Sequence, residues 1–158
     1  MKKYRKGVFI VLYKKEKNKI LYLILKRKLH WKGWEFPKGG IEKKEQILEA
    51  VKREAKEEIG QNPFNIKKFN IKGKYKYSKE FPNRIGFKGQ SFILFSAEII
   101  SKKIKIEKKE HSSYKLTDYK KALKLLTWPN QRKCLKIVNK KLKEILFLQP
   151  SLMLYNSL

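Results

Sequence analysis

Three glutamates, Glu54, Glu57 and Glu58, stand at positions i, i+3 and i+4. On an α-helix those positions share one face. Carboxylates crowded together there repel one another unless cations sit between them. An all-oxygen ligand set suits Mg²⁺ or Mn²⁺, ions usually shared with substrate phosphates. The surrounding letters keep a fixed spacing: Gly39, five residues, Glu45, seven residues, Arg53-Glu54, two residues, Glu57-Glu58, one residue, Gly60. A surface helix with ordinary i,i+4 pairs to Lys52 and Lys56 would account for the charges. It would not account for Gly39, Glu45 or the Arg53-Glu54 pair.

This spacing resembles the Nudix box of hydrolases that cleave nucleoside diphosphates linked to another moiety. Ala55 occupies the small apolar position, and Gln61 departs from the aliphatic residue expected after Gly60. The resemblance implies an α/β/α sandwich with a mixed sheet and a Mg²⁺-dependent enzyme, with Mn²⁺ as a substitute. It implies that the Gly39 carbonyl joins Glu54, Glu57 and Glu58 as metal ligands. Glu54 is a candidate general base, although the identity of the base stays open among these carboxylates. Arg53 is expected to pair with Glu57 and orient the carboxylates. Glu45 supports the loop or a further ion.

A second constellation, Glu110-His111-Ser112-Ser113-Tyr114, resembles the Glu-His-x-x-Tyr segment of diadenosine tetraphosphate hydrolases within the same superfamily. That resemblance implies that Glu110 contributes to the metal site and that Tyr114 stacks on a base. The family's tryptophan two positions later is Leu116 here. Tyr75 and Tyr77, two apart on a strand, face one side and could stack a base or simply pack. Lys38 and Arg84 are candidates for phosphate contact, while Trp31 and Trp34 read as packing residues.

Two other stretches resemble RNA 5′-pyrophosphohydrolases: Trp34–Ile41, reading WEFPKGGI, and Lys88-Gly89-Gln90. The first expectation is hydrolysis of dinucleoside polyphosphates, chiefly diadenosine tetraphosphate to ATP and AMP. The alternative is removal of pyrophosphate from triphosphorylated RNA ends. The partners are then a nucleotide polyphosphate or an RNA 5′ end. The formal net charge of +27 suits either polyanion. Much of that charge is lysine, 36 residues against 5 arginines, spread along the whole chain as solvated surface. Seven of the 14 carboxylates fall between Glu35 and Glu58. An acidic island in a basic protein supports a cation site.

The chain of 158 residues, 41% hydrophobic, suffices for one domain, read as residues 1–148 with a tail at 149–158. No apolar run approaches the roughly 20 residues of a membrane span, and the N-terminus lacks a signal-peptide cleavage site. The location expected is the cytoplasm. One cysteine, Cys134, excludes internal disulfides. Strands are expected at Gly7–Tyr13, Ile20–Lys26, Ile66–Ile71, Lys74–Tyr77, Ser91–Ile99 and, shorter, Ile104–Ile106. The main helix is expected over Glu45–Ile59, with an apolar stripe of Ile47, Leu48, Val51, Ala55 and Ile59 and a C-cap at Gly60. Two further helices are expected, over Tyr119–Leu126 with a cap at Thr117 or Asp118, and after Trp128-Pro129.

Overall fold

The computed structural model describes residues 1–155. Its centre is a run of six residues, Val8–Tyr13, in which every side chain is buried. A strand that is apolar on both faces must be covered on both faces. This one is β1 (Lys3–Glu16). Val8, Ile10 and Leu12 face one layer, while Phe9, Val11 and Tyr13 face the other.

β1 turns through Lys17, at φ +43°, into antiparallel β2 (Lys19–Arg27). Short β3 (Gly33–Glu35) pairs with β2, and β4 (Lys38–Gly40) pairs with β1. Helix α1 (Ile47–Ile59) covers one face. β5 (Phe64–Lys76) and β6 (Phe87–Glu98) follow, joined through a 3₁₀ turn at Pro82–Arg84. β6 lies parallel to β1, and β5 runs antiparallel to β6 at the edge. β7 (His111–Thr117) returns to pair with β2. Helices α2 (Tyr119–Leu125) and α3 (Pro129–Tyr155) cover the second face. The sheet is therefore mixed and covered on both sides, the α/β/α sandwich implied by the resemblance.

Several expectations are corrected. The two strands expected at 66–77 are one strand, β5, whose register shifts between Lys68 and Lys72. Ile104–Ile106 is not a strand; Ile104 and Ile106 pack against the α1 core layer. The main helix starts at Ile47 rather than Glu45, because Gln46 and Glu49 form a capping box there. Leu48 is half exposed and leaves the apolar stripe. The Glu110–Tyr114 segment enters a strand at His111. Helix α3 continues in backbone past position 149 to Tyr155, and residues 156–158 lie outside those described. No described helix is long and apolar enough to cross a membrane.

The caps match their residues. Gly60 ends α1 at φ +73°, a left-handed conformation that glycine adopts without steric cost. Asp118 caps α2 by accepting from the Lys121 amide at 3.0 Å. The departure at Gln61 has a local role. Its amide donates to the Ser101 and Lys103 carbonyls, each at 2.9 Å, and holds the loop after β6 against the end of α1.

Candidate active site

Helix α1 buries Val51, Ala55 and Ile59 and turns Glu54 and Glu58 to the rim of the sheet, where both are still buried. Arg53 is the hub of this face. Its guanidinium donates to Glu45 Oε1 at 2.7 Å and Oε2 at 2.9 Å, to Glu54 at 2.9 Å, to Glu57 at 3.2 Å and to the Gly40 carbonyl at 2.8 Å. One planar cation thus ties Glu45, Glu54 and Glu57 to the β4 backbone. Glu45 also accepts from the Glu42 amide at 2.8 Å and closes the intervening loop. The Glu54 carboxylate packs directly on Gly39: a Cβ there would lie 1.8 Å from it. The Gly39 carbonyl accepts from Gln90 at 3.2 Å, and the Tyr77 hydroxyl donates to Gln90 at 3.4 Å.

Glu58 is a strongly perturbed acid. Burial first, then the neighbouring Glu35 charge, pushes its carboxyl well above the usual range. Its Oε2 is buried with no hydrogen-bond partner among the described residues, and the same is true of His111 Nδ1. Ligand atoms of Glu58, Glu110 and His111 lie within 4.8 Å of one another. A buried carboxylate without a donor beside two further ligand groups is the arrangement a divalent cation satisfies, so the residues fit one. Burial also raises the Glu54 carboxyl, against the hydrogen bond from Arg53.

Beside these acids lies a buried ionic cluster. Glu35, fully buried on β3, contacts Lys38 at 2.8 Å, Arg27 at 3.2 Å and His111 Nε2 at 3.2 Å. Arg27 in turn donates to Glu110 at 2.6 Å. Burial alone would raise the Glu35 carboxyl; Lys38, His111 and Arg27 outweigh it and hold it at about 2.

Arg27 and Lys38 also line a cavity of about 450 Å³. Its walls are aromatic. Trp31 and Trp128 meet edge to face at 5.1 Å on one side. Tyr75, Tyr77 and Phe81 form another wall, with Tyr77 and Phe81 edge to face at 5.4 Å. The Arg84 guanidinium covers Tyr77 at 5.0 Å and Phe81 at 5.4 Å. Exposed apolar walls of this kind, with cations at one end, suit a flat heterocycle carrying phosphate.

The NUDIX domain family model matches residues 3–136. The chain belongs to the NUDIX family. An RNA pyrophosphohydrolase of Nitratiruptor sp. is 34% identical over 125 residues, covering 75% of this chain and 81% of that one. RNA pyrophosphohydrolase of Helicobacter pylori is 36% identical over 66 residues, 41% of this chain and 43% of that one. Among solved structures, a C. elegans Ap4A hydrolase binary complex superposes with TM-score 0.73 at 20% identity, over 89% of this chain and 98% of that one. The NUDIX domain of Shewanella oneidensis NrtR with ADP ribose does so with TM-score 0.71 at 16% identity, over 90% of each. This Nudix protein is a pyrophosphohydrolase acting on phosphorus-containing anhydrides.

Within the Nudix site the sequence-derived residues separate into groups. Arg53, Glu54, Glu57 and Gly39 come together around α1, although Glu57 is half exposed and, among the described residues, held only by Arg53. Glu58 and Glu110 meet at His111. Lys38, Tyr75, Tyr77 and Arg84 all line the cavity. Tyr114 does not: it sits exposed on β7, opposite Leu25, outside the cavity lining. Trp31, expected to pack, is a cavity wall, whereas Trp34 packs on the core. Glu35, Arg27, Phe81 and Trp128 were not singled out as site residues. Glu35 carries a faint signal, an acid in an otherwise apolar Trp34–Pro37 stretch.

Proposed function

We propose that this Nudix enzyme removes pyrophosphate from 5′-triphosphorylated RNA ends in a divalent-metal-dependent reaction. The observation that carries this reading over its rival is the kinship with the Nitratiruptor RNA pyrophosphohydrolase along most of both chains. The net charge of +27 supports it, because phosphate contacts dominate affinity for nucleic acid. The terminal base would occupy the aromatic cavity, and the 5′ phosphates would run past Lys38 and Arg27 toward α1. Such a substrate belongs to the cytoplasm.

Glu58 and Glu110, with Glu54, Glu57 and the Gly39 carbonyl, would hold Mg²⁺ or Mn²⁺. A bound divalent ion supplies charge neutralisation of the phosphates and a more acidic water. The chain's own groups do the rest. Arg53 orients these carboxylates through its hydrogen bonds to Glu45, Glu54 and Glu57. Glu54, whose carboxyl burial raises, would take a proton from the attacking water. Lys38 offers a fixed positive charge where negative charge collects on the leaving phosphate. The aromatic walls exclude water from the base.

Dinucleoside polyphosphate hydrolysis remains the second reading. The observation favouring it is that Glu110 and His111 of the Glu-His-x-x-Tyr element do stand at Glu58. Against it, Tyr114 of the same element is outside the cavity.

The test is incubation of 5′-triphosphorylated RNA with the protein in Mg²⁺ and in EDTA, following pyrophosphate release and conversion of the RNA to 5′-monophosphate. Metal-dependent release supports the reading. No release, with turnover of diadenosine tetraphosphate instead, would transfer the assignment to the second.

A further inference from the structure

Lys38 and Arg27 are the cations at the junction between the cavity and the acidic cluster, yet neither is a free surface charge. Their side chains are only 13% and 4% exposed. Both converge on one carboxylate, Glu35, whose side chain is fully buried. Oε2 takes Lys38 at 2.8 Å, and Oε1 takes Arg27 and His111, each at 3.2 Å. Each partner comes from a different strand: Arg27 ends β2, Lys38 opens β4 and His111 opens β7. Glu35 itself ends β3.

A buried carboxylate is costly unless every oxygen finds a cation or donor. Here that requirement has a geometric effect. A lysine ordinarily loses rotamer freedom when it grips an anion. Lys38 is already fixed before any ligand arrives. Arg27 is braced twice more, by Glu110 at 2.6 Å and the Leu29 carbonyl at 3.0 Å. The cavity lining includes Lys38 and Arg27 but not Glu35.

We propose that Glu35 is a positioning residue for phosphate recognition, presenting Lys38 and Arg27 as a fixed cation pair to a nucleoside polyphosphate whose base lies in the aromatic cavity. This rests on the reading of the site as a nucleotide polyphosphate site and extends it to a residue outside the α1 motif.

The sign of one experiment separates positioning from simple electrostatics. Glu35→Gln removes a negative charge close to the phosphate path, which by Coulomb attraction alone would tighten an anion. Positioning predicts the opposite. The probe is ATP without divalent metal, in EDTA at physiological ionic strength, measured by calorimetry or tryptophan fluorescence. Trp31 and Trp128 in the cavity wall serve as reporters. The dissociation constant should rise roughly tenfold or more in Glu35→Gln, the scale of a lost charged hydrogen bond. Glu35→Asp keeps the charge balance but is too short to span all three partners, and it should weaken ATP similarly. The distal control Lys143→Met should bind as the parent does. Glu35→Asp decides the matter if Glu35→Gln fails to fold. A folded Glu35 variant binding ATP as tightly as the parent, or more tightly, overturns the proposal, as does a parent protein with no ATP binding. The probe needs no RNA, so failure of RNA-end hydrolysis together with weakened ATP binding in the variants would remove only the RNA reading.

Discussion

The α1 face and the aromatic cavity meet at the same site but are built in opposite ways. The α1 face comes from one continuous stretch, Gly39 to Gly60, in which helical geometry sets the spacing of Glu54, Glu57 and Glu58. The cavity draws on β1, β2, β4 and β5, the 3₁₀ turn and the start of α3, with Phe9 and Trp128 far apart in the chain. Glu45, Glu54 and Glu57 of the first are tied by one arginine, while the walls of the second touch edge to face. On the proposed reading, most of the reaction chemistry is written locally, and substrate recognition depends on the whole fold.

That contrast is most sharply tested at Glu58. Glu58→Gln should abolish turnover by ~10²–10⁴-fold, as loss of a catalytic ligand or base does. Because burial raises the Glu58 carboxyl, this acid costs the metal-free fold stability at every pH above its ordinary range. The variant should therefore melt no lower than the parent in EDTA, and it should lose the stabilisation that Mg²⁺ gives the parent. Scanning calorimetry with and without Mg²⁺ checks both. A lower melting temperature in EDTA would mean that Glu58 is structural.

The cavity should respond differently. Phe81→Ala removes one aromatic wall, and base stacking on an aromatic is worth ~1–3 kcal/mol. KM should rise about tenfold with kcat changed far less, since the α1 acids are untouched. Equal losses in both constants would show that the two regions are not separable in this way.

The acidic cluster between them gives a pH signature. Glu35 is held at about 2, below its ordinary 4.5. Its contribution to stability is complete above pH 4.5 and is lost as the pH falls toward 2. Parent and Glu35→Gln should thus differ most in melting temperature near neutrality and converge across that window. Parallel curves at all pH values would contradict the ionised assignment.

The smallest effect is expected at Tyr114. Exposed on β7 and outside the cavity, it should change kcat/KM by less than about twofold when replaced by alanine, a surface substitution. A large rise in KM would return the base to Tyr114 and favour the dinucleotide reading.

The same division governed what could be read from the sequence. The α1 residues, Gly60 as its cap and the strands around Val8–Tyr13 and Ser91–Ile99 were legible because each follows from a local period or turn preference. Lys38, Tyr75, Tyr77 and Arg84 were legible as candidates, but nothing local said that they would share one cavity. Tyr114 was placed in a base site by its motif, yet β7 pairs with β2 in a register that sets it opposite Leu25 and outside the cavity. Glu35 was passed over because its importance comes from three partners on three other strands. Phe81 and Trp128 are one aromatic each in polar loops, and only the fold brings them to the same space.

The most direct test of the account is the ratio of kcat/KM for 5′-triphosphorylated RNA to that for diadenosine tetraphosphate, measured in Mg²⁺ at physiological salt with Glu58→Gln as the inactive control. The account predicts a ratio well above one, with pyrophosphate and 5′-monophosphorylated RNA as products. A ratio well below one, with ATP and AMP released from the dinucleotide, would contradict it.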